Sequence, residues 1–154
     1  MTSNNARSIV VVEDSHEEFH ALEWACRASS ITIPLIHCEN GEEAFDYLSG
    51  AGKYCQTLPS PGLVLLDLNM PRISGKEVLR YIKTSDQLNT LPVIIFSSSA
   101  NPKDIAECYR EGANSYIVKP LGLKQIRSVM ESLAQYWFNL VEQGPEIERH
   151  AARS

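Results

Sequence analysis

Glu13-Asp14, Asp67, Ser97 and Lys119 each stand directly after a short run of apolar residues, and their side chains could do chemistry together. If those runs lie parallel and side by side, three carboxylates, a hydroxyl and an amine meet at one edge. Carboxylates crowded into a cleft repel one another, and one takes up a proton unless a cation neutralises them. Hard oxygen donors with room for water suit Mg²⁺. A carboxylate beside that ion can attack phosphorus, and the ion, an ammonium and a hydroxyl would stabilise charge on the transferring group. Any one of these positions could be an ordinary solvated loop residue, but that explanation is weak for all five.

Two other patterns compete. His16-Glu17-Glu18-Phe19-His20 fits H-E-x-x-H, the zinc-protease pattern, with a third acidic ligand available at Glu39, Glu42 or Glu43. It falls in a first helical turn whose only clear apolar residue is Phe19. There Glu17 and Glu18 simply favour the helix N-terminus. Ser97-Ser98-Ser99 could suggest a serine nucleophile, but no G-x-S-x-G elbow surrounds it.

The elements that must position these residues alternate between strand and helix. Strands are predicted over 8–12, 33–38, 63–66, 92–96 and 115–118, and the β-branched runs among them suit buried parallel strands. Helices are predicted over 16–27, capped by Ser15, and over 41–48, 75–83, 103–111 and 123–142. Residues 49–62 read as loop. Five βα units predict a five-stranded parallel sheet, doubly wound and covered on both faces, which binds ligands at the carboxyl ends of its strands.

Leu65-Leu-Asp-Leu-Asn-Met-Pro71 with Gly75 resembles the phosphoacceptor motif of response-regulator receiver domains, which have the CheY-like, flavodoxin-like fold. The resemblance implies that Asp67 is phosphorylated. It makes Glu13, Asp14, Asp67 and the Asn69 backbone carbonyl the Mg²⁺ site, Ser97 the switch hydroxyl and Lys119 the phosphoryl partner. Pro120 would follow Lys119 in a cis bond. Tyr116 falls on the aromatic switch position, although a half-buried strand aromatic would look the same. The separations from Asp67 to Ser97 and from Ser97 to Lys119 match the family, and the resemblance covers residues 7–135. Ser98 departs from the usual Ala. The longer separation of Asp14 from Asp67, due to residues 49–62, and the pair Tyr136-Trp137 resemble stand-alone regulators of phytochrome-type histidine kinases. A sensor histidine kinase, bacteriophytochrome-like, is the implied phosphodonor. A pseudo-receiver that binds partners without phosphate is the remaining alternative.

Ile126, Val129, Met130, Leu133, Trp137, Leu140 and Val141 form a helical stripe running past the point where a receiver ends. Tyr136, Trp137 and Phe138 are expected to bury in a homodimer, with a helix folded back on its own domain as the competing arrangement. The expected organisation is a flexible N-terminus over 1–6, a receiver over 7–135, and a helix extension and flexible polar tail over 136–154. With no output domain expected after residue 135, the signal would leave through protein contacts.

Bulk composition agrees. The 154 residues are 44% hydrophobic and 21% charged, with a net charge of −5 and no basic stripe, so nucleic acid is not an expected partner. No apolar run approaches the roughly 20 residues of a membrane span, and no signal peptide is evident. Cys26, Cys38, Cys55 and Cys108 show no metal-ligand spacing, which suits reduced thiols in a cytoplasmic protein.

Overall fold

The run Ser8-Ile-Val-Val-Val12 forms a central strand, β1, in the computed structural model, which describes residues 7–51 and 59–148. All five of its residues are buried, as expected of a strand covered on both faces. It pairs in parallel with β2 (Leu35–Cys38) on one side and β3 (Pro61–Leu66) on the other. Beyond β3 lie β4 (Val93–Ser97) and β5 (Ser115–Val118), giving the order β2-β1-β3-β4-β5. The direction of strand succession reverses between β1 and β3, and the crevice at their carboxyl ends is the expected ligand position.

Period-two alternation divides the sheet between two cores. Val10, Val12, Val64, Leu66, Val93 and Ile95 face α2 (Gly41–Ser49), α3 (Gly75–Thr84) and α4 (Pro102–Arg110). Ile9, Val11, Leu63, Leu65, Ile94 and Phe96 face α1 (His16–Ala28) and α5 (Leu123–Ala134). Four helices start on side-chain caps: Ser15, Asn40, Ser74 and Asn101 accept bonds from the Glu18, Glu43, Glu77 and Lys103 backbone N–H groups. No helix among the described residues is long and apolar enough to cross a membrane.

The predicted loop over 49–62 is shorter at both ends. Ser49 completes α2, which stops at Gly50 in the left-handed conformation (φ 77°), and Pro61-Gly62 opens β3. The centre of that segment, 52–58, lies outside the described residues. The implied cis bond before Pro120 is not found, since the described residues contain no cis peptide.

The last helix differs most from expectation. Its α-helical part ends at Ala134, and Gln135–Leu140 form a π-helical turn closed by the Val141 N–H donating to the Tyr136 carbonyl. Trp137 and Phe138 pack against the α1/α5 core. Gly62 leaves room for the Phe138 ring, which a Cβ there would approach to 3.1 Å. The chain then turns back beneath the amino ends of the strands, where Pro61, Pro92, Trp137 and Ile147 line a common groove. The predicted flexible tail therefore differs over 144–148: Ile147 is buried in the opposite core, with the α2–α4 side chains. One apolar residue in a polar segment suffices as an anchor. Residues 1–6 and 149–154 lie outside the described part.

Removing that anchor is expected to cost about 2 kcal/mol, the low end for a buried Ile→Ala change. Ile147→Ala should therefore lower the urea midpoint, whereas a solvated tail would leave it unchanged.

Candidate functional site

Glu13 follows β1, Asp67 follows β3, and Lys119 follows β5, so the parallel sheet brings all three to one edge. Glu13 and Asp67 are only 3% and 6% exposed. Lys119 Nζ lies between them, 2.7 Å from Glu13 Oε1 and 3.5 Å from Asp67 Oδ2. It also donates to Glu18 Oε2 at 3.0 Å. Glu13 holds its place by accepting the Ser15 backbone N–H at 3.2 Å, at the amino end of α1.

Ser97 closes β4, fully buried. Its carbonyl accepts the Lys119 backbone N–H at 2.8 Å. Its Oγ accepts the Ser99 N–H at 3.2 Å, and the Ser99 carbonyl accepts the Tyr116 hydroxyl at 2.7 Å. Two hydrogen bonds thus join the buried hydroxyl to the half-buried aromatic. Ser99 Oγ donates to Asp104 at 2.6 Å, and Lys76 bridges Asp104 and Glu107. This chain ties the β4–α4 loop to α3.

Asp14 and Asn69 lie beside the cleft and are exposed, with the Asn69 N–H directed at Asp67 Oδ1 across 3.4 Å. The Asp67 turn is held close to α3. The Gly75 N–H donates to the Leu68 carbonyl, and a Cβ on Gly75 would come within 2.1 Å of the Asp67 carbonyl oxygen. Only glycine allows that approach.

Sequence reasoning missed Glu18. Its carboxylate falls with those of Glu13 and Asp67 in a group whose oxygens lie within 4.8 Å of one another. The signal was the S-x-x-E spacing from Ser15, a capping box in which Glu18 would turn back to the Ser15 N–H. Instead Glu13 takes that N–H, and Glu18 reaches Lys119. The zinc-protease pattern does not assemble. His16 turns to Glu39 and His20 to Glu23, with ring centroids 6.5 Å apart, because each finds a nearer acid.

Burial pushes the Glu13 carboxyl up to about 8, with the Lys119 bond offsetting part of the rise and the Asp67 charge adding to it. Burial would lower the Lys119 ammonium, but its bonds to Glu13 and Glu18 outweigh that and raise it. Burial likewise opposes ionisation of Glu18, yet the Lys119 and Glu13 bonds leave its carboxyl below the usual range. Acidic oxygens around one amine, with a rim of exposed Asp14 and Asn69, suit a hard divalent cation.

Known proteins share this fold. The response regulator receiver domain family matches residues 9–131. This chain belongs to that family. Response regulator Rcp1 of Synechocystis is 32% identical over 90% of the chain and 94% of its own length. The structure of its Mn²⁺-bound form superposes with a TM-score of 0.81 at 30% identity, covering 90% of this chain and 99% of that one. The phosphorylated cyanobacterial phytochrome response regulator RcpA gives 0.83 at 31%, with the same coverage. Response regulator RPA3017, of red light signalling in R. palustris, gives 0.85 at 32%, again with the same coverage. Divalent metal binding is typical of such receivers and fits the acidic cluster. Nothing supports a protease.

A cation at this edge favours the ionised form of Glu13, against the burial that favours its protonated form. Divalent-cation affinity should therefore rise as pH approaches 8 and level off above it, with net proton release below that value. Calorimetry in two buffers of different ionisation enthalpy reads the released proton directly.

Proposed function

We propose that this receiver takes a phosphoryl group onto Asp67 from the phosphohistidine of a sensor histidine kinase. The observation that carries the reading is the Lys119 ammonium lying between Glu13 and Asp67 at the carboxyl ends of β1 and β3. The Asp67 carboxylate attacks phosphorus while the P–N bond breaks, and the electron pair leaves with the imidazole, giving an acyl phosphate. Asp14, Asp67 and the Asn69 carbonyl would hold Mg²⁺, with Glu13 acting through water, and the ion would neutralise charge on the transferring oxygens. Lys119 then exchanges a carboxylate partner for a phosphoryl oxygen.

Ser97 turns its hydroxyl to the phosphoryl group, which releases the Ser99 N–H it now accepts. That perturbs the Ser99 carbonyl held by Tyr116, and the aromatic moves inward. The surface between α4 and β5 changes as a result. Hydrolysis of the acyl phosphate resets Asp67, with Asn69 and Ser99 placed to influence its rate. A phytochrome-type kinase is the favoured phosphodonor, since RcpA, a phytochrome response regulator, and RPA3017, of red light signalling, are similar over nearly the whole chain.

The chain further acts as a homodimer through the end of its last helix. Tyr136 and Leu140 are the exposed apolar side chains on the π turn. Trp137 and Phe138 are half-buried against their own domain and would contribute only their remaining surface.

Incubation with a small phosphodonor and Mg²⁺ should label the wild type, and Asp67→Asn should remove the label. An unlabelled wild type would instead favour the pseudo-receiver. In sedimentation, Tyr136→Asp should weaken self-association at least tenfold; a concentration-independent wild-type monomer would rule the dimer out.

A further inference from the structure

His16 opens α1, His37 lies in β2, and Glu39 follows β2 by one residue. The sequence separates His16 from the other two, but the β1–β2 pairing brings them together. One donor atom from each lies within 4.8 Å of those of the other two. His16 Nε2 is already 3.1 Å from Glu39 Oε1, and the His16 and His37 rings meet edge to face at 5.6 Å between centroids. Two ligands at about 2.05 Å on a tetrahedral ion are about 3.3 Å apart. At 3.1 Å the His16–Glu39 pair is already close to that separation.

His37 is the fixed member. Its ring stacks on Phe19 at 4.0 Å, with 7° between planes, and its Nε2 stands 2.7 Å from the Glu13 carbonyl oxygen. A carbonyl only accepts, so Nε2 donates, and Nδ1 is the ring nitrogen left to face an ion. A ring N–H held by a backbone carbonyl is the arrangement that orients metal-binding histidines. His16 and Glu39 are both largely exposed and free to close on an ion, leaving room for water as a fourth ligand.

We propose that His16, His37 and Glu39 form a site for a borderline divalent transition-metal ion, of which Zn²⁺ is the representative. Two imidazoles with one carboxylate select such ions over Mg²⁺, which takes oxygen ligands. The donor set differs from that at Asp67, and it differs from the H-E-x-x-H reading because His20 takes no part. No hydrolytic chemistry follows. The site instead fastens the start of α1 to the end of β2, around the carbonyl of Glu13.

The test is calorimetric titration of the untagged full chain with ZnCl₂ in excess Mg²⁺. One Zn²⁺ per chain should bind the wild type, Asp67→Asn, Cys55→Ser and His20→Ala alike. His16→Ala and Glu39→Gln should each bind at least tenfold more weakly. Both positions are exposed, so neither substitution threatens the fold, and circular dichroism verifies this. Titration with Co²⁺ should give a visible absorption band in the wild type that His16→Ala loses. Wild-type affinity in both His16→Ala and Glu39→Gln would overturn the proposal. So would loss of the site in His20→Ala, Asp67→Asn or Cys55→Ser.

Discussion

Two carboxylates withdrawn from water, Glu13 and Asp67, face each other across one ammonium, and the rest of the structure is arranged around that imbalance. Lys119 neutralises one charge while Glu18 adds another at the rim. Such a cluster is costly when incomplete, because each buried ion needs compensation close by. A dication or a phosphoryl group placed there would therefore have a large effect. Burial raises the Glu13 carboxyl, while the bonds to Glu13 and Glu18 raise the Lys119 ammonium against its own burial.

The fold supplies the positions without supplying the chemistry. Three strand ends bring Glu13, Asp67 and Lys119 to the edge where strand order reverses. Caps start four of the helices at defined residues, and Gly75 lets α3 approach the Asp67 backbone more closely than any side chain would allow. From this rigid edge the contacts lead outward through Ser97, Ser99 and Tyr116, and Asp104 with Lys76 holds the same loop against α3. A change at the buried hydroxyl therefore has a short connected route to the α4–β5 surface.

The opposite end of the sheet is closed by the chain itself. The π turn lays Trp137 and Phe138 on one core, and the segment that follows reaches round to place Ile147 in the other. The two faces of the sheet are thus linked by one continuous strap. The apolar surface that the end of the last helix leaves exposed is smaller than the helical stripe suggested, and Tyr136 and Leu140 carry most of it.

Local rules were enough for much of this protein. The β-branched runs, the capping residues and the alternation of strand with helix determine the parallel sheet, and the sheet determines that residues after β1, β3, β4 and β5 converge. Those signals are legible because they depend on neighbours a few residues away. Four features depended on distant partners. Glu18 turned to Lys119 because Glu13 had occupied its capping partner. His16 chose Glu39 and His37 over His20 because the β1–β2 pairing brought them nearer. The helix widened to a π turn where Phe138 met Gly62, and Ile147 found a core that no local pattern points to. Periodicity records which face a residue presents; it does not record which side chain gets there first, and that competition was decided only by the packed tertiary structure.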